Sequence, residues 1–520
     1  MSIDREEKTR PMAPYLIGID LGTSGCKTVA FNLEGEKAVE AFREYPVYHP
    51  KPRWAEQCPT EWWSAVVETV RECLTKSGIE TNSIVGLSVD SQREAIVPIG
   101  KNGAELYNSI IWLDQRTGAQ AEKIKQNINE ERVLSIAGVG IDPIFSASKI
   151  LWLKENVPEA FDRASALLCA KDYIVHKLTG EKVTDYSMAS RTMLFDIKRR
   201  EWSEEICSAI GVPIDKLPDA KESSAVVGEI SSLASKETLL PKGLPVVNGG
   251  GDRPCECLGA GVTLEGLVNI GTGTGSVIEV PLRQPSIDKQ GRIDCCCHVI
   301  PNAWEYEIIM ATTGASLRWF RDVFGKEEKE RADRTSISSY DLLVRQAEEI
   351  GPGADGLFFY PYLAGVFSRK FDRKARGIYF GISLSHSKAH FVRALLEGVT
   401  FQYLESFGLL SDLGIQVRRI NMVGGETKSE IWNQMKADIL GMTISIPKVE
   451  DAAALGAALL AGAGTGQYSD LHKAAQDLVK VRKSYLPNEE RHEVYSAIYN
   501  QYERIYDSVV NAYSIYSYPE

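Results

Sequence analysis

Short apolar runs alternate with helical stretches along the whole 520-residue chain. Tyr15-Leu16-Ile17-Gly18-Ile19-Asp20 is β-rich, and Thr28-Val29-Ala30-Phe31 resumes a strand after a polar, glycine-containing turn, which predicts a hairpin. Trp62–Leu74 carries its apolar positions at helical spacing. Ile84–Val89 reads as a buried strand that delivers Asp90-Ser91-Gln92-Arg93-Glu94 to its end, with Ala95–Ile99 as the next strand. Helices are expected at Lys149–Asn156 and Ala170–Leu178. Val246-Val247 closes a strand at Asn248-Gly249-Gly250-Gly251-Asp252, where the glycines let the backbone come close to a ligand. Leu267–Ile270 runs into Gly271-Thr272-Gly273-Thr274-Gly275, and Ile420–Val423 into Gly424-Gly425. Helical patterns follow at Lys428–Leu440, Leu471–Leu478 and His492–Val509.

A hairpin with glycine and hydroxyl residues at its tip, and later a strand ending in Gly-Gly, thus occurs once in each half. This pattern implies a diverged duplication: an α/β chain of two sheet-and-helix domains facing each other across a central cleft. Its length also exceeds what one hydrophobic core supports. The expected division is a polar tail at 1–13, a first domain at 14–262, a second at 263–466, and a helical extension at 467–520 packed on the second domain.

Composition narrows the function. The hydrophobic and charged fractions, 44% and 25%, are those of a globular protein, and the net charge of -11 argues against nucleic acid as the main partner. An anionic substrate must then be met by local donors or a metal ion. The chain starts polar and has no run long enough to span a membrane, so a cytoplasmic location is expected. The ten cysteines include Cys255-Glu256-Cys257 and Cys295-Cys296-Cys297-His298. Neither has the gap of a C-x2-C knuckle, and they are read as reduced thiols packed as small hydrophobes. His386 and His390 are expected to begin a helix, and Asp185 to cap one.

Asp252 directly follows the first of two glycine clusters, the placement of a catalytic base, and the Gly271–Gly275 turn offers amide and hydroxyl donors to phosphate oxygens. Leu21-Gly22-Thr23-Ser24-Gly25-Cys26-Lys27 is a hairpin tip, with neither G-x4-G-K-[ST] nor G-x-G-x-x-G. A carboxylate beside a phosphate cradle, as at Asp20, needs a cation between them. Arg93 and Glu94 can donate to and accept from adjacent hydroxyls.

Asp20-x-Gly-Thr, Gly251-Asp252, Gly271-Thr272-Gly273 and Val423-Gly424-Gly425, in this order from about Tyr15 to Gly464, resemble the FGGY family of carbohydrate kinases. The resemblance implies two actin/hexokinase-like (ribonuclease H-like) domains and ATP-dependent phosphorylation of a sugar or polyol hydroxyl with Mg2+. It implies Asp252 as general base, Asp20 near the magnesium, and Gly22, Thr23, Ser24 and Lys27 toward the phosphates. Thr272, Gly273, Gly314, Arg318, Gly424, Gly425 and Ser429 fall at nucleotide positions. Gln92, Arg93, Glu94, Trp112, Asp252 and Arg253 fall at acceptor positions, and a homodimer is implied as well.

Ser91-Gln92-Arg93-Glu94 and Thr184–Phe195 look most like the glycerol kinases. Those enzymes have Tyr, Phe and Gln where this chain has Ile144, Gly275 and Arg253. Xylulokinases carry Met-His-Gly in place of Gln92-Arg93-Glu94, and the autoinducer kinases share the Arg-Glu pair. The expected acceptor is a small polyol or keto-sugar larger than glycerol, with glycerol as the alternative. A sugar-responsive regulator and an actin-like ATPase are the rival classes on the same fold.

Overall fold

The computed structural model describes residues 13–366, 372 and 374–515. The first sheet contains β1 (Tyr15–Leu21), β2 (Gly25–Asn32), β3 (Lys37–Glu44), β4 (Ile84–Ser91), β5 (Val226–Glu229) and β6 (Pro245–Gly251), in the order β5-β6-β4-β1-β2-β3. β1 and β2 form the expected hairpin, and β4 and β6 lie parallel to β1 on its other side. The second sheet contains β7 (Leu267–Thr272), β8 (Ser276–Leu282), β9 (Asp294–Cys297), β10 (Trp304–Met310), β11 (Arg419–Gly424), β12 (Ile444–Pro447) and β13 (Val481–Tyr485). Its order, β9-β10-β8-β7-β11-β12-β13, repeats the same central plan: an antiparallel hairpin, then two parallel neighbours.

Each half buries its own apolar residues. Ile17, Ile19, Leu87 and Val89 pack with Trp62, Val66 and Val70 of α1 (Pro59–Ser77) and with Tyr173 and Ile174 of α2 (Ala170–Thr179). Val268, Ile270, Ile278 and Tyr306 pack with Leu395 and Val399 of α4 (Lys388–Asp412), while Trp432 comes from α5 (Glu430–Leu440). Tyr495, Tyr502 and Tyr506 of α7 (Glu489–Val509) join this second core.

The halves are joined by two short helices. α3 (Asp252–Gly259) follows β6, and α6 (Ala452–Gly464) follows β12 but packs on β1 and β4 of the first sheet. Small residues permit the crossing: a Cβ at Gly456 would run into the Cys255 carbonyl, one at Gly259 into that of Ala452, and one at Gly18 into that of Ala454. α6 is alanine-rich and almost wholly buried, which suits a helix enclosed on every side. The other face of α3 lies over the second sheet, where Glu256 accepts from the Asn269 side chain at 3.3 Å.

Several local expectations meet their structural counterparts. Asp185 caps a short helix by accepting from Ser187 and Met188 amides, and His390 completes the N-terminal cap of α4 with Ser387. All ten cysteines are free and nine are buried. Among the described residues, no helix is long and apolar enough to cross a membrane.

Candidate active site

The parallel strands β1, β4 and β6 end side by side and project carboxyls into one place. In register, Asp20 stands opposite Asp90, and Asp90 opposite Gly250, with Asp252 just beyond the end of β6. Asp90 is fully buried and neither of its oxygens has a hydrogen-bond partner. Burial first, and then the charge of Asp252, pushes Asp20 up to about 7; burial and Asp20 raise Asp90 well above the usual carboxylate range. Such a set of mutually repelling, desolvated oxygens fits a hard divalent cation. Asp90 is absent from the expected site, because its partner lies seventy residues away in sequence and only strand register brings the two together.

Asp252 is the first residue of α3, where the helix dipole favours an anion. Its side chain is 27% exposed, and Oδ1 lies 3.6 Å from Arg93 Nε. Burial raises its pKa above the ordinary value, against the lowering effect of Arg253 and Arg93.

Arg93 is gripped by two hydrogen bonds to Glu307 of β10, the second, from Nη2, at 2.9 Å. Arg191 joins the cluster by donating to Glu94 at 2.6 Å and to Asp294 at 2.8 Å. Glu307 is held down at about 2: burial opposes ionisation, but Arg93 and Arg191 outweigh it. Glu94 itself has a left-handed backbone, φ 62°, which costs a non-glycine residue strain. The fully buried Lys149 ammonium steadies it by donating to the Glu94 carbonyl at 2.9 Å. Arg191, Asp294 and Glu307 surround Arg93 and Glu94 and are absent from the site expected from the sequence. Alternation on β10 was the available signal, since Glu305 and Glu307 share one face while Tyr306 faces the core.

The hairpin tip at Gly22–Gly25 closes with the Gly22 amide donating to Gly25 O at 3.0 Å. Thr23 donates to Gln92 at 3.2 Å and accepts from the indole of the part-exposed Trp112 at 2.8 Å. The Gly22–Gly25 tip therefore touches both Gln92 and Trp112. Ser24 is exposed. Lys27 does not point freely at this space: its ammonium is 2.6 Å from Asp451 at the start of α6.

On the facing sheet, Thr272 lies opposite Gly424, donates to Val423 O at 2.7 Å and accepts from the Glu426 amide at 3.2 Å. Gly273 and Thr274 are exposed, with Arg318 reaching Thr274 at 3.3 Å. Gly314 fits because a Cβ there would strike the Gly273 carbonyl. Gly424 has φ +91° and no room for a Cβ beside the Thr272 carbonyl, whereas Gly425 faces open space. Ser429 spends its hydroxyl capping α5, accepting from Trp432 N at 3.3 Å.

Arg253 lies between the two sides. Its Nη1 is 3.3 Å from Glu256 and within 3.0 Å of where a Gly271 side chain would begin. Gly275 offers no wall position, since a Cβ there meets the Met310 carbonyl at 2.5 Å.

The N-terminal domain of the FGGY family of carbohydrate kinases matches residues 15–259, and its C-terminal domain matches residues 268–465. A xylulose kinase of Bacillus subtilis is 32% identical over 492 residues, covering 95% of this chain and 96% of its own. A gluconokinase of the same organism is also 32% identical, covering 94% of each chain. Among solved structures, xylulose kinase from Rhodospirillum rubrum superposes with a TM-score of 0.87 at 27% identity, covering 96% of this chain and all of that one. Two actin/hexokinase-like domains accord with these matches: the chain belongs to the FGGY family of carbohydrate kinases and is an ATP-dependent sugar kinase.

Proposed function

We propose that the chain phosphorylates a neutral keto-sugar or polyol of pentulose size. The observation that carries this reading is the saturation of the acceptor-side guanidinium groups. Arg93 is paired with Glu307, and Arg191 with Glu94 and Asp294, so neither is left to receive an acceptor's carboxylate. The Glu94 and Asp252 oxygens instead suit hydroxyls, which both donate and accept. The strained Glu94 backbone and the clamped guanidinium hold these groups in place before the acceptor arrives.

In the proposed reaction Asp252 accepts the proton of the attacking hydroxyl as the bond to phosphorus forms. Its desolvation raises its proton affinity, and the adjacent Arg93 keeps it ionised and oriented. Arg253, between Asp252 and Gly271, places positive charge along the path of the transferred phosphoryl group. The Thr23 and Thr274 amides and the Thr274 hydroxyl, with Arg318, receive phosphate oxygens, Gly273 keeps this edge free of a side chain, and Gly424-Gly425 leave room for the nucleoside. Asp20 and Asp90 would hold a magnesium ion, which when bound neutralises phosphate charge. The cytoplasm, where ATP is abundant, is the compartment this reading calls for.

A coupled ADP-release assay over xylulose, ribulose, erythritol, glycerol and gluconate tests the reading. Neutral keto-sugars are expected to give the highest kcat/KM. Preference for gluconate would overturn the neutral-acceptor assignment, and turnover without any acceptor would replace the kinase by an ATPase.

A further inference from the structure

The run Asn248-Gly249-Gly250-Gly251 that leads to Asp252 is held from behind by buried side chains. Glycines leave a backbone free, so a run of them places the next carboxylate well only if something else fixes the run. Between Val247 and Gly250 β6 advances three residues while β4 advances from Ser88 to Asp90, so one residue bulges out of the pairing. At the bulge the Asn248 amide donates to Ala225 O and the Gly249 amide to Ser223 O, both at 2.9 Å. The fully buried Lys171 ammonium of α2 donates to the Asn248 carbonyl at 3.1 Å and to its side-chain oxygen at 3.0 Å, and lies 3.7 Å from Asp185 Oδ1.

Asp185 does more than cap a short helix. Its Oδ2 accepts from the Ser187 hydroxyl at 2.5 Å and from the Ser223 hydroxyl at 2.8 Å, besides the Ser187 amide at 2.9 Å. A hydroxyl has one proton, and that of Ser187 is committed to the carboxylate, which turns its lone pairs toward a donor. That donor is the amide of Gly251, the residue directly before Asp252, at 2.9 Å. Lys171, Asp185 and Ser187 are all fully buried, whereas the Asp252 side chain is 27% exposed.

We propose, on the reading of Asp252 as the base, that Ser187 oriented by Asp185 is a positioning residue for it. By anchoring the Gly251 amide, Ser187 sets where the first residue of α3 stands against the attacking hydroxyl. Arg93 touches the carboxylate; Ser187 governs the backbone that carries it. Alanine at position 187 would leave both the Gly251 amide and the facing Asp185 oxygen short of a partner. A base displaced by about an ångström costs on the order of 10²-fold in rate.

Single-turnover phosphoryl transfer, steady-state kinetics with the best acceptor of the panel above, and a denaturation midpoint test this on the full-length protein. Ser187→Ala should lower the transfer rate about 10- to 100-fold, with KM for ATP and for the acceptor within about threefold of wild type. Ser223→Ala, which takes a donor from Asp185 but nothing from Gly251, should lose similar stability and less than about threefold in rate. Adding Ser187→Ala to Asp252→Asn should cost nothing further, because both act on the same step. A Ser187→Ala protein with a lowered midpoint and a wild-type transfer rate overturns the positioning role, as does a fully additive loss in the double variant. If Asp252→Asn transfers at the wild-type rate, the base reading fails and the positioning role with it; if Asp252→Asn is slow and Ser187→Ala is not, the positioning role fails alone. Should Ser187→Ala not fold, Ser187→Cys, which fills the same space with weaker hydrogen bonds, is read in its place against the same outcomes.

Discussion

The two sheets reach the cleft with the same strands and opposite chemistry. On the first, the hairpin strand and its parallel neighbour end in Asp20 opposite Asp90; on the second, the corresponding pair is Thr272 opposite Gly424. One edge is carboxylate and the other backbone and hydroxyl. The fold supplies strand ends at fixed spacing, and in the proposed function side chains divide the labour: proton and cation on one edge, phosphate oxygens and nucleoside on the other. The second edge needs the absence of side chains as much as the first needs their presence, because a Cβ at Gly424 would occupy the Thr272 carbonyl.

Four substitutions would break or sharpen that contrast. Asp252→Asn removes the only step that needs a base and is expected to lower kcat by about 10²–10⁴ with ATP still bound; single-turnover measurement checks it. Glu307→Gln leaves the Arg93 and Arg191 guanidinium groups short of a buried counter-charge, at about 3–5 kcal/mol, read as a fall in denaturation midpoint and a rise in acceptor KM. Gly424→Ala meets both a positive φ and a backbone atom; about 1–3 kcal/mol of strain should appear mainly as a raised KM for ATP. An unchanged KM would separate that edge from the nucleotide.

The smallest effect concerns pH. In the proposed reaction Asp252 works ionised, and its pKa stands above the usual aspartate value, so kcat should decline as pH falls through that raised pKa and hold above it. Arg253 lowers this pKa, so Arg253→Gln should move the acid limb to higher pH. A limb that stays in place would mean that Arg253 does not face the base.

Much of the first edge is legible in the sequence. Asp20 and Asp252 each follow a buried apolar strand, and the glycine runs after Val247, Ile270 and Val423 mark close backbone approach. At Gly275, where the resemblance gives the glycerol kinases a Phe, a Cβ would meet the Met310 carbonyl, so this backbone leaves no room for such a side chain. Lys27 likewise carries the charge expected near phosphates but pairs with Asp451, more than four hundred residues away.

Periodicity and turn chemistry are local, so the chain by itself determined its strands, its hairpins, the doubled plan and the place of Asp252 directly after a glycine run. Pairing between distant charges is decided by register and packing, which no local pattern encodes. The Asp20–Asp90 pair, the Glu307 grip on Arg93, and the crossing of α3 and α6 through glycines therefore belong to the tertiary structure alone.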